Sequence, residues 1–213
     1  MKRFACLVGV ALVCTTGSVA DRDLHAQTVA VRAIAVNNHN RNTPDNLLGG
    51  AVQVRGQLGQ SGIWLRAGVD HAGGRKEMLT STCQGLVPPG MDCGAEDAVS
   101  RSGFWMWSLG LGVPLLRRER VSVLASGGVD VAELAVRIHG QRTQRLLKGT
   151  DPLLGGSGGV TATWTPKSGW PLAIEAEVML GAVGQFPGTG ATDTFEPGKV
   201  DFRRYSLGLA WRP

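Results

Sequence analysis

Eight stretches of this chain alternate apolar and polar residues with a period of two, and no helical stripe of comparable length competes with them. They fall at approximately 28–37, 48–58, 63–72, 103–113, 120–131, 157–165, 171–182 and 201–211. The pattern predicts an all-β chain of eight antiparallel strands in an up-and-down meander. The connections after the first, third, fifth and seventh stretches are long: Asn38 to Leu47, Gly73 to Ser102, Ala132 to Gly156 and Val183 to Val200. The other three are short and rich in turn formers or charge: Gly59 to Gly62, Pro114 to Glu119 and Pro166 to Trp170. Long and short connections alternating around an even number of strands are what a closed transmembrane β-barrel requires, with both chain ends on the short-turn side.

The two faces of each stretch differ in kind. In the fourth, Trp105, Trp107, Leu109, Leu111 and Val113 share one side, opposed by Phe104, Met106, Ser108, Gly110 and Gly112. The fifth sets Val121, Val123, Ala125, Val129 and Val131 against Ser122, Leu124, Ser126, Gly128 and Asp130. The seventh sets Leu172, Ile174, Ala176, Val178 and Leu180 against Ala173, Glu175, Glu177 and Met179. Gln53, Arg55 and Gln57, then Arg66 and Asp70, then Arg204 and Ser206 mark the polar sides of the second, third and last stretches. An interior charge network of Arg55, Arg66, Asp70, Glu175, Glu177 and Arg204 is therefore expected, because buried charges must be paired. The first stretch fits least well, since Ile34 and Val36 fall on the side of Arg32.

An aliphatic face alone can point to lipid or to a soluble core. Here the opposite face is rich in Gly and Ser and poor in Lys, which suits a cramped eight-stranded interior better than a solvated sheet. The chain holds 31 glycines, about twice the usual share. Trp105, Trp107, Trp164, Trp170, Tyr205 and Trp211 lie near strand ends, as an aromatic girdle at the two membrane interfaces would.

The first residues read as a secretion signal. Lys2 and Arg3 precede an apolar run from Phe4 to Cys14, and Ser18-Val19-Ala20 offers small residues for cleavage. The expected division is residues 1–20 as signal peptide, with a second cut able to fall after Ala26, and 21–213 as barrel. Val13 before Cys14 disfavours lipid attachment there. Cys83 and Cys93 then remain, and an oxidising compartment favours a disulfide between them over two free thiols. A formal charge of +5, spread mostly as Arg without a basic run, gives no case for nucleic acid.

The whole mature pattern resembles the small outer-membrane β-barrel proteins, the OmpA-like and OmpX-like barrels. Tyr205-Ser-Leu-Gly-Leu-Ala-Trp211 looks like the terminal strand read by the barrel-insertion machinery, although Arg212 and Pro213 follow where family members end on an aromatic residue. The resemblance implies a narrow monomeric barrel among outer-membrane lipids, with exposed outer loops and no defined activity.

Chemical motifs are few, and no cofactor or metal motif is present. Gly155-Gly-Ser157-Gly-Gly159 matches the nucleophile-elbow pattern, but that elbow needs a helix to follow and Val160 to Trp164 continues as a strand. His39, His71 and His139 fall near loop-side strand ends and could converge at the rim. The stretch from Gly73 to Ser102 is longer than a plain connection needs. The leading expectation is a non-enzymatic outer-membrane barrel with a structural, adhesive or limited-passage role. The alternatives are an outer-leaflet lipid-modifying enzyme using His71 or His139, and a soluble lipocalin-like binder with its aliphatic face turned inward.

Overall fold

The protein is described by a computed structural model covering residues 24–38, 44–81, 94–142, 146–185 and 200–212. The expected signal segment, His39, Cys83 and Cys93 lie outside the described residues. Eight strands follow one another: β1 (Leu24–Asn38), β2 (Asn46–Leu58), β3 (Trp64–Ser81), β4 (Ala95–Arg117), β5 (Val121–Gly140), β6 (Leu146–Trp164), β7 (Leu172–Gln185) and β8 (Val200–Trp211). Each pairs antiparallel with its neighbour, and β8 closes on β1. Closure leaves no sheet edge unpaired, which is the condition for a sheet to cross hydrocarbon.

The register fixes the barrel's shape. From Thr28 the pairs run Arg55, Arg66, Gly110, Gly128, Ser157, Gly181 and Phe202, and return to β1 at Asn38, ten residues further along. Eight strands with that stagger tilt by about 40° from the barrel axis and leave an interior that side chains fill. The short turns are built locally. Gly169 takes φ 78° between β6 and β7, where a side chain would be strained. Ser61 Oγ donates to the Leu58 carbonyl at 2.6 Å between β2 and β3.

The strands are longer than the alternation suggested, above all β3 to β6, so most of Gly73 to Ser102 and Ala132 to Gly156 is strand and not loop. The reason is visible on β5. Up to Val131 the valines point outward and Asp130 points in; beyond it Leu134, Val136 and Ile138 are buried inside while Arg137 and His139 are exposed outside. The alternation continues, but its apolar phase inverts. β8 does the same in reverse order: Val200 and Phe202 are inside with Asp201 and Arg203 outside, then Tyr205, Leu207, Leu209 and Trp211 face out. β1 also obeys it, which is why Ile34 and Val36 share a side with Arg32: all three point inward.

An inverted phase means that the medium outside the wall changes from apolar to aqueous. Below the inversion the outer surface carries exposed Val52, Leu109, Leu111, Val113, Val129, Val160, Ile174, Val178, Leu207 and Leu209. On β4 this belt runs from Trp105 to Leu115, roughly 26 Å of height for a strand tilted about 40°, matching the ~25 Å apolar band of outer-membrane barrels. No helix among the described residues is long and apolar enough to cross a membrane.

The interior divides in the same way. Toward the long connections it is an apolar plug of Ile34, Val36, Leu47, Phe104, Leu134, Val136, Leu153, Val183 and Phe202. Phe104 and Phe202 meet across it at 6.2 Å. Behind the belt it is polar and charged.

Candidate functional site

The polar layer centres on β7, whose inward positions carry Glu175 and Glu177, 0% and 2% exposed. Alternation puts both on the same face, and the closed wall brings guanidinium groups to them from four other strands. Glu177 Oε2 accepts from Arg32 Nη1 at 2.6 Å and Oε1 accepts from Arg66 Nη1 at 3.1 Å and from Thr161 Oγ1 at 3.0 Å. Arg204 also donates to Glu177, and with its other terminal nitrogen to Asp70. Glu175 accepts from Arg32 at 2.7 Å, from Thr163 at 3.0 Å and from Arg55. Gln53 accepts from Arg32 at 2.6 Å, and Ser126 from Arg66 at 2.9 Å. Asp130 lies buried on the inward face of β5.

Four arginines (Arg32, Arg55, Arg66, Arg204) thus face four acids (Asp70, Asp130, Glu175, Glu177), all buried. Bonds cross the lumen and tie together β1, β2, β3, β5, β6, β7 and β8. All six expected network residues lie in it. The residue missing from the expectation is Arg32, which bonds to both central glutamates. Its signal was hidden by Ile34 and Val36, which suggested a misread face. The charge on an otherwise apolar inward row was the usable clue.

Gly208 explains how Arg32 reaches Glu175. In register it lies between them, paired with Arg32 on one side and with Glu175 on the other. A Cβ at this position would approach the Val31 carbonyl to 2.1 Å and the Arg32 Cγ to 2.8 Å. A side chain here would therefore wedge into the space through which the ion pair passes.

The other singled-out residues are scattered. Trp164, Trp170 and Trp211 are exposed at the short-turn end, while Trp105 and Tyr205 are exposed toward the far edge of the belt and Trp107 lies half-buried beside Trp105. His71 stacks on Trp105 at 4.2 Å on the outer wall. His139 also faces out, but six residues beyond Glu133, the β5 partner of Trp105, which is about 20 Å along a strand. These two histidines, which could have met at the rim, do not converge. Ser157 is buried in the middle of β6 beside the Asp130 carboxyl, in a strand and not at a strand-to-helix turn. No cluster of ligands suited to a metal occurs among the described residues. At the short-turn mouth an open recess of about 520 Å³ is lined by Arg55, Trp64, Arg117, Arg118, Arg120 and Arg212, among others. Trp64 is an inward aromatic that the girdle assignment did not include.

Chemically this interior is dominated by ion pairs. The glutamates are engaged by guanidinium groups, and the apolar plug separates them from the long-connection end. A lipocalin-like interior would be the reverse, aliphatic inside and solvated outside.

No protein-family profile and no curated protein matches the chain. Solved structures do. The chain is similar to a major outer membrane protein of Thermus thermophilus, at 17% identity and TM-score 0.57 over 89% of this chain and 100% of that one. It is similar to the outer membrane protein OprG of Pseudomonas aeruginosa, at 7% identity and TM-score 0.51 over 90% and 97%. It is also similar to Ail, the attachment invasion locus protein of Yersinia pestis, at 10% identity and TM-score 0.50 over 90% and 99%. Closure, register and these likenesses agree: the chain has the fold of the small eight-stranded outer-membrane β-barrels.

Proposed function

We propose that this protein is a non-enzymatic outer-membrane barrel, exported with cleavage of its N-terminal segment, whose plugged wall anchors the long connections at the cell surface in a structural or adhesive role. The observation that carries it is the inversion of the apolar phase along β5 and β8. A soluble barrel has water along its whole height and no reason for its outer face to change from leucine and valine to arginine and histidine partway up a strand. The inversion supports a position of the long connections beyond the apolar belt, and ion pairs and the plug occupy the lumen behind it. The barrel then works as a peg and not as a pore, since aqueous channels need about 16 strands or more.

The partners in this reading are outer-membrane lipids along the belt and the insertion machinery during assembly, with β8 as the strand that it engages. Ail, described as an attachment invasion locus protein, shares the fold and gives the adhesive role a precedent. The test is fractionation of expressing cells, followed by electrophoresis with and without heating. The protein should stay with outer membranes and migrate as a compact species until heated, and planar bilayers should show no steady conductance. Recovery in the osmotic-shock fraction would overturn the membrane assignment, and a stable open channel would overturn the peg.

A further inference from the structure

The recess at the short-turn mouth gathers more positive charge than the barrel's own acids answer. Its volume of about 520 Å³ falls in the range of small-molecule sites. Arg55 contributes to its floor, Trp64 to its wall, and Arg117, Arg118, Arg120 and Arg212 to its rim. The acid among its lining residues is Glu119. All four rim arginines are exposed, and no ion pair engages them among the described residues.

The strand ends aim three of these arginines at the lumen. On β4 the outward residues are Leu109, Leu111 and Val113, so unbroken alternation would turn Arg117 outward as well. The register shifts between Pro114 and Leu116, and Arg117 pairs with Ser122. Directly opposed residues share a face, and Ser122 lies on the side of buried Leu124. Leu115 is the extra residue; it and Leu116 are both exposed, and Arg117 swings in. Bulges at barrel rims and beside functional sites re-aim side chains in this way. Arg120 stands two residues before Ser122 on the same face, and its carbonyl accepts from the backbone N–H of inward Thr165 at 2.8 Å. Arg212 follows outward Trp211, and its N–H donates to the Pro171 carbonyl at 2.7 Å, which holds the chain in place one residue past β8. Below them Arg55 gives a terminal nitrogen to Glu175, while its Nε–H has no partner among the described residues. Like charges gathered at one opening repel one another and attract an anion. A phosphate answers them best, since it carries up to two charges on three acceptor oxygens that fit guanidinium forks.

We propose that this recess binds a phosphate group at the short-turn end of the barrel, carried by a small soluble ester or by the head group of an inner-leaflet phospholipid. That this end faces the periplasm rests on the orientation proposed above; the site itself needs only the closed barrel.

The test is calorimetric titration of the full-length protein in maltoside micelles, which carry no phosphate. Glycerol 3-phosphate should bind saturably, more weakly as salt rises, and about a hundredfold more weakly to the triple variant Arg117→Gln, Arg120→Gln, Arg212→Gln. Acetate, with one charge, should bind at least about tenfold more weakly than glycerol 3-phosphate. Lysine at the same three positions should keep the salt dependence and lose about tenfold, because an ammonium lacks the fork. Arg101→Gln, exposed on the wall toward the long connections, should change nothing. Native mass spectrometry of the same micelles doped with phosphatidylglycerol separates the sources. Arginine-dependent retention of that lipid, with loss of the glycerol 3-phosphate titration, assigns the site to the head group; an unchanged titration assigns it to a soluble ester. Equal binding by the triple glutamine variant, acetate as tight as glycerol 3-phosphate, or neither phosphate compound held through these arginines would each overturn the proposal. Heat-dependent mobility of the unliganded samples scores the closed barrel separately, and recovery with outer membranes scores its location.

Discussion

Removing Glu177 tests whether the lumen is a closed ionic lattice. Its carboxylate accepts from Arg32, Arg66, Arg204 and Thr161, and it is 2% exposed. Glu177→Gln keeps the shape, deletes one charge, and turns one acceptor into an amide donor facing guanidinium groups. The acids then number three against four arginines. Breaking a buried pair by removing one partner costs about 3–5 kcal/mol. With a urea slope of about 2 kcal/mol per M, the unfolding midpoint should fall by roughly 2 M. The assay is equilibrium urea unfolding in liposomes, followed by tryptophan fluorescence and by the fraction of compact species on unheated gels. Arg66→Met added to Glu177→Gln restores the balance at three against three. The double variant should be less destabilised than the sum of the singles by about 0.5–3 kcal/mol. A single-variant loss below about 1 kcal/mol, with no recovery in the double, would refute the closed lattice and point to a lumen wet enough to screen its charges.

Three further substitutions probe the other layers. Leu109→Arg, in the middle of the outward belt, should lower stability in liposomes by about 2–4 kcal/mol, and much less in a soluble environment; equal effects in liposomes and in aqueous refolding would deny the belt its lipid. Phe202→Ala removes one side of the Phe104 and Phe202 contact and should cost about 3–5 kcal/mol in the same unfolding assay. Gly208→Ala should cost at least about 1–3 kcal/mol by crowding the Arg32 and Glu175 bridge, and pairing it with Glu175→Gln should cost less than the sum; strict additivity would show that the glycine serves the backbone alone.

The sequence carried more of the fold than of the site. Strict alternation in β4, β5 and β7 identified their inward and outward faces because a strand has only two sides, and one was greasy. The extensions of β3 to β6 were missed because Ala132 to Gly140 alternates with the opposite sense, and a rule that holds greasy outward sees disorder where the surrounding medium has changed. Arg32 was missed for the same reason: it stands among apolar inward neighbours at the level where the interior passes from charged to apolar. The pairing partners were beyond local sequence altogether. Glu177 and Arg32 are separated by 145 residues, and only the stagger of the closed wall brings them to one point. That stagger is a property of the whole ring, set by eight registers at once.

A buried ion lattice is weak evidence for stability, since well-packed apolar replacements are often neutral or better. Its value here lies in register. A one-residue slip of β7 would turn Glu175 and Glu177 toward hydrocarbon and bring Ile174 and Val178 inside. Each charge near the bilayer centre costs about 2.5–3.5 kcal/mol even on the mildest scale, so the slipped form is disfavoured by roughly 5 kcal/mol or more from this strand alone. Replacing the four arginines and four acids together by methionine and leucine removes that penalty while keeping the volume. The replaced barrel should unfold within about 1 kcal/mol of the parent or later, yet fold to several unheated gel species where the parent gives one. A single species at undiminished yield would show that the turns and glycine contacts already fix the register, and would leave the charges without a structural purpose.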